Sequence, residues 1–141
     1  MNRITFLGTG TSTGVPYLGC DCPTCASTDP RDKRLRCSAL VQTASANILI
    51  DCSPDFREQM LRLNFRGTLD ALFITHEHYD HVGGIDDLRP FSYTRSLPIY
   101  ADPYAASHLR QRLPYCLVEN KYPGVPQLQL HDLQPYETVM V

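Results

Sequence analysis

Hydrophobic and polar positions along this chain fall into short runs, separated by glycine, proline and small polar residues, and the runs follow two periods. Ile4-Thr5-Phe6-Leu7 favours a strand and is cut off by the glycines at 8, 10 and 14. Ser38–Thr43 and Asn47–Asp51 are two further strand-like runs around a three-residue turn, the length of a hairpin. Ser53-Pro54-Asp55 offers a cap, a proline at the first position and an acid in the first turn, so a helix is expected to open there. Phe56, Met60 and Leu63 follow at i, i+4 and i+7, the stripe of a helix lying on a sheet, and Gly67 is the expected stop. Ala71-Leu72-Phe73-Ile74 reads as a buried strand, and Ile85–Leu88 as a helical turn ended by Pro90. Pro98–Ala101 is a further strand. Asp102-Pro103 then repeats the cap-and-proline opening, with Ala105, Leu109 and Leu113 as the buried stripe and Pro114 as the stop. A proline-rich tail carries the alternation Leu128-x-Leu130. This order of elements predicts a mixed α/β layer.

Composition narrows the picture without changing it. A length of 141 residues suits one domain, spanning 1–141, and a hydrophobic fraction of 43% is enough for a core. The net charge of −2 provides no field that would gather nucleic acid or acidic membrane, so neither is expected as a partner. Arg31-Asp32-Lys33-Arg34-Leu35-Arg36 is the local exception, and reads either as a solvated loop or as a phosphate-facing patch. The start of the chain has no apolar run of signal-peptide length, and nowhere does a run approach membrane-spanning length. A cytoplasmic protein is expected. Its six cysteines then read as metal ligands or free thiols rather than as a disulfide framework.

Chemistry concentrates in Thr75-His76-Glu77-His78-Tyr79-Asp80-His81. Three of the five histidines and a carboxylate fall within six positions, directly after an apolar strand and before Gly83-Gly84. Neutral imidazole nitrogen and carboxylate oxygen are ligands of borderline divalent metals. His76 and His78, two apart, can point the same way from an extended segment, whereas Asp80 and His81 need a turn to reach a second metal position. The alternative is a histidine-rich surface turn. A second cluster, Cys20-Asp21-Cys22-Pro23-Thr24-Cys25, lies in an excursion over 16–37 and offers three thiols within six residues. It reads as a structural zinc site lacking a fourth local ligand, or as three free thiols. Cys37 is the nearest substitute for that ligand in sequence, and equally a small strand residue. Cys52 and Cys116 have no ligand spacing. Gly8-Thr9-Gly10-Thr11-Ser12-Thr13-Gly14 lacks the endings of the nucleotide-binding motifs, so a tight loop out of the first strand is the simpler reading. His108 sits mid-helix as a packed or surface histidine, and His131 is a weaker candidate ligand. Asp51 ends a strand either as the acid before a helix cap or with a role at the histidines.

The run Thr75-His76-Glu77-His78-Tyr79-Asp80-His81-Val82-Gly83-Gly84 resembles the signature of the metallo-β-lactamase fold hydrolases. The opening Phe6-Leu7-Gly8-Thr9-Gly10-Thr11-Ser12-Thr13-Gly14-Val15-Pro16 and the cysteine triplet narrow the resemblance to the branch containing the phosphoribosyl cyclic phosphodiesterase of phosphonate breakdown. The coenzyme PQQ biosynthesis protein B is a more distant relative. The resemblance, from Ile4 to about Tyr122, implies an αββα sandwich built from two similar halves, of which this chain matches the amino-terminal one. It implies two divalent ions, zinc or manganese: one held by His76 and His78, the other by Asp80 and His81, with further ligands that have no match here. Asp80 would also steer the proton of the attacking water, and Asp51 would support the metal loop from behind the ligands. A histidine from the other half would complete a zinc site at Cys20, Cys22 and Cys25. The expected activity is hydrolysis of a small, cyclic phosphodiester by a metal-activated water. RNA processing on the same fold, or a non-catalytic metal-binding half that needs a partner chain, are the alternatives. A lone half would also be prone to dimerise.

Overall fold

The protein is described by a computed structural model covering residues 2–118 and 121–141. Six strands make one sheet in chain order: β1 (Arg3–Gly8), β2 (Ser38–Gln42), β3 (Asn47–Ile50), β4 (Ala71–Phe73), β5 (Leu97–Ala101) and β6 (Leu128–Asp132). β1, β2 and β3 form an antiparallel meander, while β3 to β6 run parallel. Parallel neighbours require crossovers, and the helical segments supply them. In chain order the helices are α1 (Pro23–Ala26), α2 (Phe56–Leu63), α3 (Tyr79–Val82), α4 (Pro103–Arg112) and α5 (Pro114–Leu117). A 3₁₀ segment over Ile85–Phe91 joins α3 to β5.

Register explains where the core sits. Leu40 pairs with Leu49, Leu49 with Leu72 and Leu72 with Ile99, so one buried apolar row crosses four strands. Phe56 and Met60 of α2, Ala105 and Leu109 of α4, and Ile85 and Leu88 pack onto that face. Each such side chain contributes about 1.5–3 kcal/mol when fully buried. The opposite face carries Ile4, Val41 and Ile48 in one cross-strand row, and Phe6, Ala39, Ile50, Phe73, Tyr100 and His131 in the next. Phe73 stacks on Tyr100 at 4.9 Å and Tyr100 on His131 at 5.1 Å between ring centroids. Within the described residues these rows have no helix over them: Ile4 and Phe6 are 63% and 73% exposed.

Three local expectations are corrected. α2 ends at Asn64, not at Gly67: Asn64 takes the left-handed conformation at φ 51°, and its N–H and that of Phe65 donate back to Leu61 and Met60. Asparagine tolerates that conformation better than other residues with a side chain. Pro90 does not end the turn after the histidines but lies inside the 3₁₀ segment, which closes with Ser92 N–H on Arg89 O at 3.1 Å. Asp55 is not spent on the first turn of α2. Its carboxylate accepts from Arg36 N–H and from the Arg36 guanidinium, both at 2.8 Å, and so pins the end of the 16–37 excursion, while Ser53 Oγ accepts from Asp55 N–H. By contrast, Asp102 caps α4 as its sequence predicts, accepting from Tyr104 and Ala105 N–H. No helix among the described residues is long and apolar enough to cross a membrane.

Candidate metal centre

β4 delivers the histidines to the carboxyl end of the sheet, where loops of an open α/β sheet can converge. Thr75 follows the strand, His76 to His78 form a short extended loop, and His78 precedes α3, which carries Asp80 and His81. The ring of His76 lies 4.7 Å from that of His78 and 4.0 Å from that of His81. The turn of α3 therefore folds His81 back beside the first histidine of the motif. Cys52 N–H donates to His81 O at 2.7 Å and Gly84 N–H to Cys52 O at 2.9 Å, which seams the loop to the end of β3. Glycine is required at 84: a Cβ there would stand 2.1 Å from Ser53 O. From the far side, Arg112 at the end of α4 donates to Glu77 O at 2.6 Å, between the two histidines. Sequence reasoning did not single out Arg112. Its only signal was a cation in the last turn of a helix.

Asp51 sits beneath this loop. It is buried, at φ 58°, and its own carbonyl is held by Ser38 Oγ at 2.8 Å. Its carboxylate accepts from Thr75 N–H at 2.8 Å, from Thr75 Oγ1 at 2.8 Å and from His81 Nδ1 at 2.7 Å. A carboxylate on one ring nitrogen of histidine orients the ring and leaves the other nitrogen to a metal. His81 Nε2 is 3.2 Å from Asp80 Oδ2, so a nitrogen and a carboxylate oxygen suited to one cation lie together. Both side chains are largely enclosed, whereas that of His78 is 68% exposed. The donor types, imidazole nitrogen and carboxylate oxygen, fit a divalent metal, and His76, His78, Asp80 and His81 are the residues that would hold it.

The cysteine triplet is gathered more tightly. Among the described residues, Cys20, Cys22 and Cys25 are the one group of three or more potential ligands whose donor atoms all lie within 4.8 Å of one another. Cys22 immediately precedes α1, and the Cys25 N–H, followed by the neighbouring Cys20 and Cys25 thiols, holds its thiol below the ordinary range. At Cys25 the Tyr17 N–H pulls in the same direction, but Cys20, burial and Cys22 outweigh it and push that thiol up. Cys37 is exposed and lies outside the group. Cys52 and Cys116 are buried thiols. Burial, with the charges of Asp87 and Asp51, pushes Cys52 well up, and burial with Asp86 pushes Cys116 up to about 11. Neither is reactive at neutral pH. His131 stacks on Tyr100 on the open face of the sheet, and His108 packs edge-on against Tyr104.

Comparison with known proteins fits this arrangement. Residues 46–141 match the Beta-lactamase superfamily domain, and the chain belongs to that family. It is 52% identical over 136 residues to an octanoyltransferase of Porphyromonas gingivalis, a match covering 94% of this chain but 27% of that protein. It is 30% identical over 141 residues to ribonuclease Z of Myxococcus xanthus, covering 97% of this chain and 39% of the relative. The crystal structure of a diphosphatase from the PhnP family superposes on all of this chain with a TM-score of 0.87 and 38% identity, and the chain covers 54% of it. The chain thus spans little more than half of that structure and less of the two curated relatives. The fold is that of the metallo-β-lactamases, a mixed sheet with helices.

Proposed function

We propose that this chain is the metal-binding part of a phosphodiesterase-like hydrolase that acts on a small phosphodiester. The observation that carries the reading is the joint placement of His76, His78, Asp80 and His81 at the end of β4, with the buried Asp51 carboxylate behind His81. Two divalent ions, zinc or manganese, would polarise a phosphoryl oxygen and lower the pKa of an attacking water. The chain's own part is to orient. Asp51 aims His81, Thr75 and the seam through Cys52 fix the loop, and Asp80 is placed to hold the proton leaving the water. The likeness to a diphosphatase supports a phosphoryl substrate, and the −2 net charge favours a small one over a nucleic acid. The zinc at Cys20, Cys22 and Cys25 would be structural.

The test is turnover of bis-p-nitrophenyl phosphate, a cyclic ribose phosphate and a precursor tRNA, by protein loaded with zinc or manganese and by its chelated form. Metal-dependent turnover of the small diesters is the expected result, with the His76→Ala, His78→Ala double variant losing both metal and activity. Cleavage of the tRNA alone would replace this reading with RNA processing. Full metal content in the double variant would remove the histidines from the site.

A further inference from the structure

We propose that the groove between α2 and the 3₁₀ segment over Ile85–Phe91 is a binding site for a small organic anion, an aromatic or apolar body carrying one acidic group. The site is separate from the metal centre and independent of the hydrolase reading: no residue of the motif over 75–81 lines it. Its cavity of about 540 Å³ has the size of a small-molecule pocket, which is typically apolar with a few placed polar groups. The floor has that character. Phe56 and Met60 are buried side chains of α2, and Phe65 and Phe91 are half-buried beside them. Phe91 lies 5.9 Å from Phe56, edge-on, and 6.0 Å from Phe65 between ring centroids, so three rings make one aromatic cluster. The rim carries the charge. Arg57, Arg66 and Arg89 stand against Asp86 and Asp87, a surplus of one positive charge. Asp86 is already taken on both oxygens, by the Arg89 guanidinium and by the Tyr115 hydroxyl at 3.1 Å. Arg57 and Arg66 are exposed and have neither a hydrogen-bond nor an ion-pair partner among the described residues, unlike Arg62 of the same helix, which is paired with Glu58 at 2.8 Å. Arg89 Nε is buried without an acceptor among the described residues, where an enclosed donor ordinarily has one. A guanidinium fork matches the paired oxygens of an organic acid. A ligand with its body on the phenylalanines and its acid on Arg57 and Arg66 therefore uses both halves of the groove, while Asp87 disfavours a second negative charge on it.

The experiment is calorimetric titration of zinc-loaded protein with probes that share one ring system: naphthalene-2-sulfonate, neutral 2-naphthalenemethanol and cationic 2-naphthylmethylammonium. The sulfonate should bind at a single saturable site, about tenfold or more tighter than the alcohol, as charge-assisted contacts predict. The ammonium should bind most weakly. Arg57→Gln together with Arg66→Gln should remove the advantage of the sulfonate and leave the affinity for the alcohol unchanged. Phe65→Ala should weaken both. Phe6→Lys, on the exposed face of the sheet, should change neither, which separates this groove from the apolar rows on the other side. The proposal is overturned if the sulfonate binds no tighter than the alcohol, if the double arginine variant keeps wild-type affinity for it, or if Phe6→Lys abolishes binding. Absence of saturable binding up to about 1 mM overturns it as well. If Phe65→Ala does not fold, the probe series on the wild type and on the double arginine variant still decides. None of these measurements reads turnover, so a groove that binds nothing leaves the hydrolase reading untouched, and a chain that hydrolyses nothing leaves the groove standing.

Discussion

Asp51 is the residue on which most of the site turns. It follows the last residue of β3 in the left-handed conformation, which aspartate adopts more readily than most residues with a side chain. That turn swings the carboxylate away from the strand and under the loop after β4. Asp51→Ala would leave the Thr75 N–H and the His81 Nδ1–H without their acceptor. One buried unsatisfied donor costs about 1–3 kcal/mol. With two such donors left, we expect a loss of about 2–6 kcal/mol, read as a lower urea midpoint with unchanged slope, together with weaker zinc binding at the histidines. A variant as stable as wild type and with equal zinc affinity would show that Asp51 supports nothing. The histidine cluster was legible in the sequence because its chemistry lies in six consecutive positions. The aspartate was legible only as two alternatives, since its partners stand 24 and 30 residues away. Thr75 entered only as the first residue of the motif, and Arg112 only as a cation in the last turn of a helix: a hydroxyl on a distant carboxylate and a guanidinium on a backbone carbonyl are contacts that no residue pattern records.

Elements whose signals are local were legible almost to their ends. The hairpin of β2 and β3, the strand before the histidines and the capped start of α4 all follow from alternation, turn length and an Asp-Pro pair. The misread ends are those where two signals competed. Gly67 outranks Asn64 by propensity, yet the chain turns at Asn64, and Asp55 serves Arg36 from the 16–37 excursion rather than its own helix. That excursion invites a direct test. Cys22 is held below the ordinary thiol pKa of 9.0 by the Cys25 N–H, while Cys25 is pushed above it. A lowered pKa means more thiolate at any pH below it, and the thiolate is the nucleophile. In metal-free protein at about pH 8, iodoacetamide should label Cys22 before Cys25, and lowering the pH should slow Cys25 first. Peptide mass spectrometry reads the order. Zinc should protect all three thiols, and Cys22→Ser should release about one zinc per chain while the histidine site still loads. Equal labelling rates and no zinc protection would mean that the triplet is only a turn rich in sulfur.

Across the whole molecule, the central strands and the layer that covers them are mismatched. Ala39-Leu40-Val41 and Ile48-Leu49-Ile50 are continuous apolar runs rather than alternating ones, the pattern of strands buried on both faces. Helices α2 and α4 take Leu40 and Leu49, but Val41, Ile48, Ile50, Phe73 and Tyr100 face the other way, with Ile4 and Phe6 exposed beside them. A contiguous apolar face of this kind marks an interaction surface. β1 compounds it, because at the sheet edge most of its outer hydrogen-bonding groups lack a strand partner among the described residues. The pattern of the runs was readable in the sequence. Which face the helices would leave open was not, because that depends on the hand of the crossovers. We expect this chain by itself to self-associate through the open face, as a dimer or larger species whose fraction rises with concentration in sedimentation. Phe6→Lys, placed on an exposed position with no core contact to lose, should move the distribution towards monomer without lowering the thermal midpoint. A single species at 15.9 kDa over a hundredfold range of concentration would mean that the face is tolerated in water as it stands. The apolar rows on β2 and β3 would then need another explanation than a missing cover.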